Sequence, residues 1–166
     1  MQDSRSNYKI RFARQEDIPA VIELMKPYNM HHIPSPEMSF LDYKNFIVAE
    51  QNGCLLGAAG FTFLSNDIGK TTLMAVRPDC TGMGLGMTLQ TRRMQILRGL
   101  GCLSVITNAD RPETIAWYKR HFGYHEIGKL PKIHPFGLNA VSEWTTLEAD
   151  LSGVEMPPVS QRKLFI

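Results

Sequence analysis

Cysteine is scarce: three in 166 residues, Cys54, Cys80 and Cys102, with no C-x-x-C pair among them. Any disulfide scheme leaves one over, so a disulfide framework and a structural zinc site are both excluded. The three read as reduced thiols buried as small hydrophobes. Charge is nearly balanced, 18 Lys and Arg against 16 Asp and Glu, for a formal charge of +2. That excess is too small for a nucleic-acid or membrane surface, and any basic site must be local. No run approaches the ~18 apolar residues of a membrane span. The start MQDSRSNYKIR lacks the apolar core of a secretory signal, so the expected location is the cytoplasm. Repeats and low-complexity segments are absent too, which argues against stacked-repeat and linker-like chains.

What is present suits one globular core. At this length, 43% hydrophobic and 20% charged residues predict a single domain, residues 1–151, with a terminal extension over 152–166. YKIRFAR, Tyr8 to Arg14, alternates as a strand, and QEDIPAVIELMKPY then carries Ile18, Val21, Ile22 and Met25 at helical spacing. Asp17 is the expected cap of that helix and Pro27 its end. The proline-punctuated loop NMHHIPSPEMS leads into an expected short helix near Glu37 to Lys44. Three strands follow, near residues 46–51, 54–64 and 70–77, and turns at Asn52-Gly53 and Asn66-Asp67 make them antiparallel neighbours. Next come a glycine loop, a helix over Leu85 to Arg98, the strand CLSVITN and a helix over Pro112 to His121. The strand YHEIGKL, a loop containing PKIHPFGLN and a last strand SEWTTLEADL close the domain. The order predicts a mixed α/β sheet.

The stretch AVRPDCTGMGLGMTLQTRRMQILRGLG, Ala75 to Gly101, sets Gly82, Gly84 and Gly86 where a helix begins. A helix start offers unpaired N–H groups and the positive end of the dipole, so glycines there point to an anion brought against bare backbone. Two nucleotide motifs fail on spacing. A G-x-G-x-x-G pattern starting at Gly84 meets Leu89, and GKTT at Gly69 to Thr72 lacks the first P-loop glycine, which falls on Leu64.

Val76 to Gly86 resembles the signature of GNAT-type acyl-CoA N-acyltransferases, a Gln or Arg, two residues, then Gly-x-Gly, after a strand ending in a Val-x-Pro turn. ETIAWYKRHFGY is similar to that family's second cofactor segment, and the element order matches from Tyr8 to Leu151. The resemblance implies the GNAT fold, an α/β (α+β) domain with a mixed, mostly antiparallel central sheet flanked by helices. It also implies acetyl-CoA as cosubstrate, no metal, and transfer to the primary amine of a small-molecule or amino-acid-like acceptor by direct attack. Cofactor contacts then fall on Met74 and Val76 of a bulged strand, on Thr81, Gly82, Met83, Gly84, Gly86 and Met87 of the loop, and on Asn108. Three features depart from the family pattern. Thr81 stands where the signature has Gln or Arg, Arg111 stands where the second segment has Asn, and YKRHFGY is one residue longer than the usual tyrosine-to-glycine spacing.

Acyl transfer to an amine needs a polarised carbonyl, a neutral amine and a leaving thiolate that gains a proton. The resemblance gives Tyr118 the role of proton donor to the sulfur. The general base stays open. His31 and His32 lie in the loop that covers the acceptor site in this fold, and His134 lies between the last two strands. Glu37 and Glu143 are weaker alternatives. Arg92 and Arg93 read as a solvated helix face, with contact to the cofactor 3′-phosphate as the alternative. A non-catalytic acyl-CoA-binding module is the competing function. Leu164, Phe165 and Ile166 are apolar on the extension and predict a homodimer.

Overall fold

The computed structural model describes residues 7–158. Seven strands and three α-helices follow in chain order: β1 Lys9–Phe12, α1 Ile18–Met25, β2 Phe46–Gln51, β3 Cys54–Phe63, β4 Ile68–Val76, α2 Leu85–Gly99, β5 Ser104–Ala109, α3 Pro112–Phe122, β6 His125–Pro131 and β7 Glu143–Asp150. They form one sheet in the order β1-β2-β3-β4-β5-β7-β6. Only β4 and β5 run parallel; every other pair is antiparallel. The hairpin between β2 and β3 turns at Asn52 and Gly53, both at positive φ, as an Asn-Gly pair favours.

One expected element does not form. The segment before β2 has a single 3-10 turn, Tyr43–Asn45, in place of a helix from Glu37 to Lys44. Pro34 and Pro36 remove backbone donors, and Ser35 and Met38 bond each other's backbone reciprocally at 2.7 and 3.2 Å. Asp17 stands at the N-cap of α1 but makes no side-chain bond to that helix; it is the last residue of a 3-10 turn, Gln15–Asp17, and its side chain turns back to the start of it. Its carboxylate takes the Arg14 N–H at 2.7 Å and a bidentate pair from Arg11 at 2.7 and 3.0 Å. Pro27 sits in a further 3-10 turn, Lys26–Tyr28, that ends at Asn29 in the left-handed region. Beyond β7, Gln95 and Arg98 of α2 donate to the carbonyls of Glu155 and Val154, so the start of the expected extension lies along α2. Leu164, Phe165 and Ile166 lie outside the described residues.

Two cores cover the sheet. On one face Val21, Leu24 and Met25 of α1 meet Phe46, Val48, Ala58 and Leu73. On the other, Leu85, Leu89, Ile96 and Leu97 of α2 meet Val105 and Leu147. A fully buried leucine contributes about 2 kcal/mol, so the helical stripe 85, 89, 93, 97 anchors α2. Position 93 of that stripe is an arginine, fully buried, where the sequence predicted a solvated face.

The arginine is explained by the strand beneath it. The register of β3 and β4 slips between Ala59 and Phe61: Ala59 faces Met74 while Phe61 faces Thr71. One extra β4 residue is thus accommodated at Thr72–Leu73, opposite Gly60. A Cβ on Gly60 would lie 2.3 Å from Thr72 Oγ1 and 2.7 Å from the Phe46 ring, so only glycine fits. A bulge strands backbone carbonyls. Arg93 Nη1 supplies the missing donors, reaching the carbonyls of Gly60 at 3.0 Å, Thr72 at 3.2 Å and Leu73 at 3.5 Å.

The bulge lies where the sheet divides. β4 and β5 pair only from Ile68 to Lys70, opposite Ser104 to Ile106. Past that point β4 stays with β3 to Val76 and β5 stays with β7 to Ala109, leaving a cleft between them. Arg93→Met keeps the bulk of the stripe but leaves the bulge carbonyls without donors. Urea denaturation is expected to show a loss of about 3 kcal/mol, and Arg93→Lys is expected to recover only part of it, because one ammonium nitrogen cannot meet both the bulge carbonyls that Nη1 serves and the Gln90 and Tyr118 oxygens that Nη2 serves.

Candidate active site

On the α2 side of the cleft the glycine loop turns through Gly82 at φ +82° and Gly84 at φ +78°, conformations that β-branched residues resist. Nothing lies within 4 Å of a Cβ built on either, and at Gly86 the nearest atom is in the Trp117 ring at 3.9 Å. The first backbone bond of α2 is Thr88 N–H to Gly84 C=O at 3.1 Å. The N–H groups of the turn before it have no intrahelical acceptor and face open space, which suits a pyrophosphate. Met83 and Met87 flank the loop with exposed side chains. Thr81 folds back, its hydroxyl donating to Pro78 C=O at 2.9 Å.

The open edge of β4 supplies more backbone. Arg77 N–H donates to Leu56 C=O at 2.8 Å. By the two-residue alternation of a strand, Val76 and Met74 therefore turn their N–H and C=O groups away from β3, toward the cleft. The Tyr28 hydroxyl takes the Val76 carbonyl at 2.5 Å, a contact invisible in the sequence.

Tyr118 reaches this place from α3. It is buried, and its oxygen accepts from Arg93 Nη2 at 3.4 Å. The bond uses an oxygen lone pair and leaves the hydroxyl proton for another acceptor. Gln90 accepts from the same Nη2 and donates to the Tyr124 hydroxyl at 3.0 Å. Burial, then the neighbouring Tyr118, push the Tyr124 hydroxyl well above its ordinary range, so it stays neutral. One guanidinium therefore joins the bulge of β4 to the tyrosine of α3.

On the other face a cavity of about 800 Å³ reaches the cleft, with Glu37, Phe46, Thr72, Leu73, Asn108 and Trp144 among its lining residues. Val105 and Ala109 pack on the α2 side, so Asn108 between them faces this cavity. Asn108 Oδ1 accepts from the Thr146 hydroxyl at 2.7 Å. Two stitches hold the cavity's outer loops. Asn29 Nδ2 donates to the carbonyls of Pro135 at 2.6 Å and Gly137 at 3.1 Å. A buried Lys132–Asp110 pair at 2.9 Å also gathers the carbonyls of Phe136 and Leu138.

The family model described as the acetyltransferase (GNAT) family matches residues 13–124. The chain belongs to the GNAT family. This GNAT protein is 30% identical over 132 residues to the amino-acid acetyltransferase of Proteus mirabilis, covering 74% of this chain but 28% of that protein's length. It is 29% identical over 127 residues to the amino-acid acetyltransferase of Mycobacterium tuberculosis, covering 74% of this chain and 71% of that one. An N-acetylglutamate synthase from Neisseria gonorrhoeae, complexed with coenzyme A and N-acetyl-glutamate, superposes at a TM-score of 0.70 with 22% identity, over 88% of this chain and 35% of that one. A Salmonella typhimurium acetyltransferase with its cofactor acetyl-CoA gives a TM-score of 0.67 at 20% identity, over 93% and 99% of the two chains.

Within this GNAT domain the three candidate histidines come together. The rings of His31 and His32 are 4.0 Å apart and those of His32 and His134 are 5.1 Å apart, with Phe136 beside His134 at 4.7 Å. Neighbouring side chains on an extended loop are expected to diverge; here the left-handed Asn29 and the stitched loop opposite draw them together. None of the three lines the cavity, whereas Glu37 does. Glu143 lines a separate depression with Asp110, Lys119 and Glu126. No group of residues that could hold a metal occurs among the described residues.

The Asn29 amide is oriented by its two carbonyl partners, so its Oδ1 accepts and His32 Nε2, 3.0 Å away, carries the proton. Withdrawal from water, then the adjacent His31 and His134, hold His32 below its ordinary pKa of 6.5. The unfolded chain thus takes up the proton first as pH falls. Stability present above about pH 6.5 is lost as pH drops from there toward the folded value. Thermal melts between about pH 7.5 and 5.5 are expected to show a falling melting temperature, with a shallower slope in His32→Gln.

Proposed function

We propose that the protein is an acetyl-CoA-dependent N-acetyltransferase that passes the acetyl group directly to the primary amine of a small-molecule or amino-acid-like acceptor. The observation that carries the reading is the cleft: a glycine-rich helix start on one face, a cavity of about 800 Å³ on the other, and between them a β4 edge with no strand partner past Lys70. In this reading acetyl-CoA supplies the activated thioester. The N–H groups of Gly82 to Met87 receive its pyrophosphate, and Met74 and Val76 hold the pantetheine and orient the reacting carbonyl. Asn108 contacts the reacting end from the cavity side. Tyr118, held by Arg93, gives its hydroxyl proton to the departing sulfur. His31, His32 and His134 serve the acceptor side by closing its two loops on each other.

The module that holds acyl-CoA without turnover has one feature in its favour, the Thr81 hydroxyl spent on Pro78. A cytoplasmic location and a homodimer closed by Leu164, Phe165 and Ile166 belong to the catalytic reading. No described helix is long and apolar enough to cross a membrane.

Two measurements test the assignment. Gly86→Glu places a carboxylate where the pyrophosphate belongs, at a helical position free of positive φ, and a negative charge suits a helix start. Calorimetry is expected to show acetyl-CoA affinity weakened about tenfold or more while the melting temperature holds or rises; unchanged affinity would reject the cofactor site. Tyr118→Phe removes one O–H, and turnover at saturating acetyl-CoA is expected to fall about 100-fold or more with acetyl-CoA affinity preserved. Undiminished turnover in the variant would leave Tyr118 a packing residue, and absence of turnover in the wild type across an amine panel would favour the module.

A further inference from the structure

The cavity wall has a polar need that the protein itself does not meet. Glu37 Oε1 accepts from the Ile133 N–H at 2.8 Å and from Trp144 Nε1–H at 3.1 Å. Two donors on one oxygen fix the orientation of the carboxylate. Its other oxygen, Oε2, is buried with no hydrogen-bond partner among the described residues. A carboxylate oxygen held dry and unpaired is costly, and a cation removes the cost. No basic side chain of the cavity does so. Among the described residues Lys70 is the only Lys or Arg in the lining, on β4 where the parallel pairing with Ile106 ends, and it makes no bond to Glu37 Oε2. The remaining acidic side chain, Asp42, is occupied in capping the Lys44 N–H at 3.0 Å.

Around Glu37 the wall is apolar. Met30, Met38, Leu41, Phe61, Ile133 and Trp144 line the same cavity. Such a surface stabilises an apolar body at about 25 cal/mol per Å² removed from water and offers little to a second charged group. An acidic amino acid needs basic forks for its carboxylates, and here those carboxylates would meet Glu37 with one lysine as counterweight.

We infer that Glu37 is the recognition residue for a cationic, apolar primary amine, an alkylamine or arylalkylamine without a carboxylate, whose ammonium pairs with the Glu37 carboxylate while its body fills the apolar cavity. The inference rests on the reading that this cavity receives the acceptor. It separates this chain's acceptor from the N-acetyl-glutamate of the Neisseria structure. Glu37 binds and selects; the proton lost by the amine on transfer is not assigned to it.

Calorimetric titration of the full chain with 2-phenylethylamine, 2-phenylethanol and L-glutamate, with and without coenzyme A, tests this. The amine is expected to bind about tenfold or more tightly than the alcohol, which has the same ring and no charge, and L-glutamate is expected to bind more weakly than the amine. Glu37→Gln keeps an oxygen for Ile133 and Trp144 and is expected to reduce amine affinity to that of the alcohol, with acetyl-CoA affinity unchanged. Equal affinity of the wild type for amine and alcohol would overturn the inference even if the variant failed to fold. So would an unaltered amine affinity in a folded Glu37→Gln protein, or tighter binding of L-glutamate. Failure of acetyl-CoA to bind would instead reject the acetyltransferase reading, and the amine titrations without coenzyme A would still report on Glu37.

Discussion

The contact on which the other features depend is the Arg93 guanidinium inside the α2 face of the sheet. A fully buried cation is costly unless its hydrogens are matched, and here the two Nη groups find acceptors while Nε has none among the described residues. None of its described partners is a carboxylate: they are three backbone carbonyls, Gln90, Tyr118 and Met74 Sδ. The carbonyls are available because β4 carries an extra residue opposite Gly60. Bulge and arginine therefore require each other. Without the bulge the carbonyls would be spent on ladder bonds, and without the arginine they would be orphaned in a dry core.

That mutual requirement has consequences along the chain. The bulge lies just past the last residues pairing β4 with β5, so the arginine stabilises β4 where it leaves its parallel neighbour. The open cleft is thus a supported geometry. The same Nη2 that meets Gln90 also meets Tyr118, so the tyrosine is oriented by the group that shapes the strand edge it serves. The start of α2, the cleft and the proposed proton donor form one mechanical unit.

The cavity face is built on different physics. Its walls are loops, and loops of this length hold a shape only when their backbone is tied down. Asn29 and the Lys132–Asp110 pair do this through carbonyls of the segment between β6 and β7. Glu37 adds a third tie through the Ile133 N–H and the Trp144 ring nitrogen. The histidine cluster packs at the junction of the two loops. These ties join loop to loop, while the glycine turn and the bulged strand are held by the sheet and α2.

The sequence by itself determined the element order, the antiparallel run of β2 to β4 and the glycine turn that starts α2. Each depends on neighbours a few residues apart: alternation, helical spacing, an Asn-Gly turn and glycines before an apolar stripe. It also contained a clue that went unread, since Arg93 falls at the i+4 position between Leu89 and Leu97, in the middle of a stripe that faces the core. Only the tertiary structure decided what that arginine binds, because its partners come from β3, β4 and α3. The expected helix over Glu37 to Lys44 gave way partly to the local Ser35–Met38 turn and partly to distant partners, since Glu37 found donors about a hundred residues away. The meeting of His31, His32 and His134, and the unpaired oxygen of Glu37, arise from two loops brought together by the sheet. A hydrogen bond between distant segments leaves no periodicity in either, so it becomes visible only once the chain has folded.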